Sequence, residues 1–200
     1  MNRKEKEFFL RKELIIDAAK QLFIENGFEN TTMDDIAKKA EYTKPTLYKY
    51  FKNKEEILFG LYLKGWQESV DVVLSEMENV QTGFDKLVIA ANTYCDYFRK
   101  NSVYFMLLNY VHSNAIKLND DNSEKKENHK KQVDEFIGKM ESIINDGIED
   151  KSIYDGLDVK LAVEYFLNNL YVIMHNFYRK YKNDENYIEK SIEIMMRTFK

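Results

Sequence analysis

One proline, one cysteine, one tryptophan, three histidines and seven glycines are spread over 200 residues. With so few ring-locked or conformationally free positions, little is available to end helices and almost nothing to make hairpin turns, so an all-α chain is expected. Cys95 has no partner for an internal disulfide, in keeping with a reducing compartment, and the cytoplasm is the expected location. The first residues, MNRKEKEFFLRK, lack the uninterrupted apolar stretch of a secretion signal, and no later run reaches membrane-spanning length. No membrane association is expected. Catalytic motifs are missing too: there is no glycine-rich phosphate loop, no dinucleotide turn and no H-E-x-x-H. The residues three before His112, His129 and His175 are Asn109, Lys126 and Val172, which excludes the Glu-x-x-His pairs of a di-metal helical bundle. Cys95 shares an apolar stripe with Leu87, Ala91 and Phe98, the setting of a buried, inert thiol. Neither enzymatic activity nor a metal or organic cofactor is expected.

What the chain has in quantity is charge, unevenly placed. A net charge of −4 excludes a surface coated in positive potential, so any nucleic-acid contact has to be a local patch. One such patch exists. Residues 38–54 hold Lys38, Lys39, Lys44, Lys49, Lys52 and Lys54 against the single acid Glu41.

Periodicity lays out the helices around that patch. Leu14, Ile15, Ala18, Ala19, Leu22 and Phe23 recur at the spacing of one buried stripe and predict a first helix over about 5–26, closed by Gly27 in a left-handed cap. Thr32 can cap a short second helix over 33–40, with Asp34 and Asp35 where the helix dipole favours acids and Ile36, Ala37 and Ala40 inward. After the break EYT, Thr43 can cap a third helix. Pro45 then falls in the first turn, where an amide hydrogen has no intrahelical partner anyway. Leu47 and Phe51, four apart, turn inward, which leaves Lys44, Thr46, Tyr48 and Lys49 on the outer surface. A long helix from Lys54 to about Val80 follows, then helices near 84–100, 102–118, 124–149, 158–181 and 184–199, about nine in all. Residues 119–131, NDDNSEKKENHKK, show no apolar periodicity and are expected to be loop at their start.

The ordered elements of residues 14–59, LIIDAAKQLFIENGFENTTMDDIAKKAEYTKPTLYKYFKNKEEILF, resemble the N-terminal DNA-binding domain of the tetracycline-repressor (TetR) family of bacterial transcription regulators. The resemblance implies a three-helix, helix-turn-helix DNA-binding domain over 1–53 and a helical ligand-binding and dimerisation domain over 54–200. Lys44, Pro45 and Thr46 at the start of the third helix are the expected base readers, Lys44 to guanine or a phosphate, the Pro45 ring and Thr46 methyl to a thymine methyl, and Thr43 is a further DNA-binding candidate. Thr32, Tyr48, Lys49, Tyr50 and Lys54 are implied as phosphate contacts, joined by free amides where the helix at Lys54 opens. Glu41 stands where the family usually has a glycine, so a non-glycine residue is expected at positive φ in the turn.

The implied function is a ligand-responsive, DNA-binding regulator, a repressor released from double-stranded operator DNA by a small apolar or aromatic molecule. The competing reading is a dimeric helical adaptor that binds protein instead. The segment 159–178, VKLAVEYFLNNLYVIMHNFY, is apolar on nearly every face and needs cover on all sides. With the stripe Ile188, Ile192, Met195 and Phe199, it predicts a homodimer through the helices near 158–181 and 184–199. Tyr62, Trp66, Tyr94, Phe98, Phe105, Asn109, His112, Phe166, Asn169 and His175 combine aromatic walls with a few amides and imidazoles and are the candidates for an effector pocket.

Overall fold

A computed structural model describes residues 2–112 and 123–200, with the backbone alone at 110–112, 123 and 124. Among the described residues there is no strand, and nine α-helices follow in order: α1 (Arg3–Asn26), α2 (Met33–Lys39), α3 (Lys44–Leu47), α4 (Lys54–Met77), α5 (Gly83–Lys100), α6 (Ser102–His112), α7 (Ser123–Glu149), α8 (Val159–Asn176) and α9 (Tyr187–Met196). The expected helix over 158–181 stops being α-helical at Asn176 and passes into a π turn, Phe177–Tyr181, and α9 tightens into a 3-10 turn, Arg197–Phe199. The expected extension of α6 to 118 lies outside the described residues. No described helix is long and apolar enough to cross a membrane. Packing groups the described residues into two compact units, 2–66 with 102–112, and 67–101 with 123–200. The boundary drawn from the sequence between 53 and 54 falls at the start of α4, whereas the compact units divide within that helix.

In the first unit, Ile15, Ala19, Ile36, Leu47, Ile57, Leu58 and Leu61 have no exposed surface, and Phe23 and Phe51 nearly none. The predicted stripe of α1 therefore holds from Ile15 onward. Leu14 does not belong to it: it is 57% exposed, because the buried face runs through Ile15, Ala18, Ala19, Leu22 and Phe23 and leaves position 14 on its edge. Gly27 does close α1 at positive φ, but with φ 80° and ψ 160° rather than the left-handed helical geometry expected. The chain thus leaves α1 extended, in a region of backbone space open only to glycine.

The second unit is an α5, α7, α8, α9 assembly around Leu87, Ala91, Phe98, Ile144, Val163, Phe166, Met174 and Phe199. Cys95 lies among them, 1% exposed, and burial pushes its thiol up to about 12, the inert state expected. The start of α5 and the end of α7 meet backbone to backbone. A Cβ on Gly83 would lie 2.4 Å from the Cα and amide nitrogen of Gly147. The turn after α7 supplies acceptors for two of α5's opening amides, with Gly83 N–H donating to Asp150 Oδ2 (2.9 Å) and Phe84 N–H to Ser152 Oγ (3.0 Å), while Asp85 N–H donates to the helix's own cap, Thr82 Oγ1 (3.1 Å). The first two are orphan donors of a helix start satisfied by a segment 67 and 68 residues further along.

Two outcomes follow. Gly83→Ala forces two helix backbones apart and is expected to destabilise the protein by about 1–3 kcal/mol, a Tm loss of roughly 2–4 °C per kcal/mol in a chain of this size. Differential scanning calorimetry reads it. The Ser152 hydroxyl, the Gly83 and Ser152 amides and Lys86 hold the Asp150 carboxyl below its ordinary 3.8. Its stabilisation is complete above that value and is lost as pH falls through the lower, folded-state one. An Asp150→Asn variant should lose less stability than the parent between pH 5 and pH 3 in urea melts, each referred to its own neutral-pH value.

Candidate nucleic-acid interface

Three local devices set the shape of residues 27–54. Thr32 opens α2 with a capping box: its Oγ1 accepts from Asp35 N–H (3.2 Å) while Asp35 Oδ2 accepts from Thr32 N–H (3.0 Å). At the other end of α2, Glu41 takes φ 58°, as expected for a residue in the glycine position. The hydrogen bonds show why. Tyr42 N–H reaches back to Ala37 C=O (2.9 Å) and Glu41 N–H to Lys38 C=O (3.2 Å), the paired bonds of a Schellman ending, which require a left-handed residue at position 41. Thr43 then opens α3, its Oγ1 accepting from Thr46 N–H (3.4 Å).

α3 is shorter than the spacing suggested. Only Lys44–Leu47 is α-helical, after which Lys49 N–H bonds to Thr46 C=O (3.1 Å) and Tyr50 N–H to Leu47 C=O (2.9 Å), the tighter pattern of turns. Leu47 and Phe51 still point inward, and Thr43, Lys44, Pro45, Tyr48 and Lys49 are exposed. Thr46 is half-buried, its hydroxyl 2.8 Å from that of Thr43. Lys44 Nζ lies 2.7 Å from Asp34 Oδ1, and this contact raises its pKa. An exposed pair of this kind is weak, so a phosphate or a guanine can replace Asp34 without a large loss.

Tyr50 and Lys54 are placed differently from the other candidates. The Tyr50 ring stacks against Phe8 of α1 at 4.8 Å and against Tyr42 at 6.4 Å. Lys54 turns away from the outer surface, with Nζ donating to three backbone carbonyls of the α1–α2 loop, Phe28 (2.9 Å), Glu29 (3.2 Å) and Thr31 (3.2 Å). It also sits 4.5 Å from the centre of the Phe28 ring. An ammonium has three N–H donors, and all three are used inside the protein. Lys54, expected as a phosphate contact, is thus an internal clamp. The opening amides of α4 are also partly engaged, since Glu56 N–H donates to Asn53 Oδ1 (2.8 Å).

The effector candidates are not gathered into one described cavity. In the first unit Tyr62 and Phe105 are core residues, burial pushes the Tyr62 phenol up to about 12, and Asn109 gives its amide to Phe105 C=O (3.0 Å). Trp66 is half-buried, and the side chain of His112 lies outside the described residues. In the second unit Tyr94 packs on buried Phe98 (4.7 Å), Phe166 on Phe199 (6.0 Å) and His175 beside Tyr171 (6.1 Å), while Asn169 bonds to Tyr165 C=O (2.8 Å). A groove of about 500 Å³ between α5 and α9, lined by Phe84, Val88, Ile192 and Met196, contains none of the ten. Amides spent on their own helices and rings packed as core explain the difference: sequence spacing marks a buried face, not whether that face meets a void.

Two short capped helices, a left-handed turn between them and an exposed lysine and tyrosine face define a helix-turn-helix DNA-binding protein. The comparisons agree. Residues 15–61 match the family described as bacterial regulatory proteins, tetR family. The chain is 30% identical over 152 residues to the fatty acid metabolism regulator protein of Bacillus subtilis strain 168, covering 74% of this chain and 73% of that one. It is 50% identical over 46 residues to IcaR of Staphylococcus epidermidis, a negative transcriptional regulator of a biofilm operon, with 23% of this chain and 25% of IcaR covered. The fold matches the crystal structure of FadR from Bacillus subtilis in complex with stearoyl-CoA, with a TM-score of 0.71, 21% identity, and 94% of this chain and 99% of that one covered. This protein belongs to the tetR family of bacterial transcriptional regulators.

The Schellman turn yields its own expectation. Glu41→Gly removes a side chain from a backbone conformation that costs a non-glycine residue about 1–2 kcal/mol, offset in part by glycine's unfolded-state entropy, for a net gain of roughly 1 kcal/mol. An upward shift of the urea midpoint at constant m-value checks it.

Proposed function

We propose that the protein is a homodimeric repressor that leaves its operator when a small molecule with a long apolar chain binds. The observation that carries the DNA half is the exposed face of Thr43, Lys44, Pro45, Tyr48 and Lys49 on a segment whose start is fixed by the Thr43 cap. Thr43, Lys44, Pro45 and Thr46 are assigned to base edges, and Thr32, Tyr48, Lys49 and Tyr50 to phosphates, which fix register. Repression is supported by the negative regulator among the relatives. The effector class is supported by a relative that regulates fatty acid metabolism and by a structural neighbour bound to stearoyl-CoA.

Dimerisation rests on α8. Its inner face, Ala162, Val163, Phe166, Leu170, Ile173 and Met174, is buried, while Leu161 (63% exposed), Tyr165 (40%) and Val172 (49%) run along its outer side at spacings of four and seven, one stripe on the helix. On α9 the stripe predicted from the sequence to meet the partner, Ile188, Ile192, Met195 and Phe199, is instead packed inside the subunit, fully except for half-buried Ile188. Ile194, 66% exposed, is the residue α9 leaves outward. A second copy covering this surface would set two α3 segments about a two-fold axis, suiting an operator of two half-sites.

Equilibrium sedimentation at micromolar concentration is expected to give a dimer, and Val172→Asp a monomer with weaker DNA binding; a wild-type monomer would refute the interface. Stearoyl-CoA, with free CoA as control, is expected to weaken binding to a selected operator duplex at least tenfold, because an effector shifts the equilibrium only by its differential affinity for the two states. Unchanged operator affinity at saturating stearoyl-CoA would remove the acyl chain from the proposal.

A further inference from the structure

The first buried residue of α1 is Ile15, so residues 3–14 form an overhang of three turns, about 18 Å at 1.5 Å per residue. This segment carries more cations than acids: Arg3, Lys4, Lys6, Arg11 and Lys12 against Glu5, Glu7 and Glu13. All three acids are engaged, Glu5 in a capping box with Asn2, Glu7 with Arg11, and Glu13 with Lys64 of α4 at 2.9 Å. An isolated overhang of this composition has no core to hold it in place. Besides the Glu13–Lys64 pair, it is held by the recognition segment: the Phe8 ring lies 4.8 Å from that of Tyr50, and Lys12 Nζ sits over both Phe8 (5.1 Å) and Phe51 (5.4 Å). Arg11, partly exposed, has its guanidinium beside the Tyr50 hydroxyl, and Tyr50 and Glu7 both raise its pKa.

Aromatic contacts therefore fasten one basic segment to the end of another, the run from Lys44 to Lys52. In the free protein such a juxtaposition of like charges is unfavourable. A polyanion lying across both segments reverses the sign. Lys4, Phe8, Arg11 and Ile15 are spaced four, three and four, so Lys4 and Arg11 share the face of α1 that carries the anchor to Tyr50. Arg11 and Tyr50, held near each other by the Phe8–Tyr50 contact, bring a guanidinium and a phenol from two elements to one side of the segment, and both can donate to a phosphate oxygen.

We propose that the overhanging turns of α1 are a second DNA-backbone contact, with Lys4 and Arg11 on phosphates flanking the groove that α3 enters, and Phe8 and Tyr50 as the hinge pin that places them. This rests on the DNA-binding reading above and extends the protein's footprint beyond the bases it reads. It also gives Tyr50 a defined task, presenting Arg11 to the backbone.

The test uses full-length protein and a duplex enriched from a random-sequence library by the wild type, with affinity measured as salt is raised. Each phosphate neutralised contributes about −0.9 to the log–log slope. Lys4→Gln, at an exposed position that cannot disturb folding, should reduce the slope of a dimer by about 2, and Lys4→Gln with Arg11→Gln by about 3 to 4. Hydroxyl-radical protection should disappear at the outer edges of the footprint and persist at its centre. Unchanged slopes and an unchanged footprint in the double variant, whatever the affinity, would overturn the proposal. Failure of the wild type to enrich any duplex would instead overturn the DNA-binding reading itself.

Discussion

The ammonium of Lys54 bonded to Phe28, Glu29 and Thr31 C=O is the contact on which the geometry of the DNA-reading segment depends. Those carbonyls belong to the loop that leaves α1 through Gly27 and ends in Thr32, the residue that caps α2. Around the clamp the loop is otherwise closed: Phe28 packs edge-on to Phe23 at 5.3 Å, and Thr31, 1% exposed, gives its hydroxyl to Gly27 C=O at 2.8 Å. Lys54 is also the first residue of α4, a single helix continuing to Met77. A cation bonded to three converging carbonyls thus joins the start of α4 to the start of α2. Charge-assisted bonds at partly buried positions are among the stronger polar contacts available to a protein, and removal of the cation leaves three carbonyls to find water.

From that anchor the rest of the segment is set by caps instead of by a large core. Thr32, Glu41 and Thr43 each fix one helix end, and Leu47 and Phe51 supply the only deep burial between Lys44 and Lys52. A segment so short has little helical stability of its own. Its outward side chains are consequently positioned by neighbours: Lys44 by Asp34, Tyr50 by Phe8 and Tyr42. An acidic chain can bind DNA on these terms because the field that matters is local, and the basic face is separated in sequence from most of the acids.

Legibility in the sequence followed locality. The Thr32 and Thr43 caps, the inward Leu47 and Phe51 and the inert Cys95 were readable because each depends on residues within one or two turns, whereas the positive φ at Glu41 followed from the family resemblance, in which that position is usually glycine. What was not readable involved partners far along the chain. Lys54 reads as one more lysine of a basic run, and nothing local indicates that carbonyls 23 to 26 residues earlier will claim it. Phe8 and Arg11 fell inside the predicted first helix without any role assigned to them, although their spacing with Lys4 and Ile15 carried a usable signal. The apolar period of α9 was found correctly and given to the wrong neighbour, because periodicity reports that a face is covered and not by what. The same limit applies to the aromatic residues offered for an effector pocket: Phe98, Phe105 and Phe166 are buried, Phe166 against Phe199 of the last turn.

The account stands on Lys54 being a clamp and not a phosphate contact, and replacing it with methionine separates the two. Operator affinity of Lys54→Met should fall while the log–log salt slope stays within about 0.5 of the wild type, and amides at the start of α2 should exchange with deuterium faster. A slope reduced by about 2, with exchange in α2 unchanged, would place the ammonium on DNA and contradict the account.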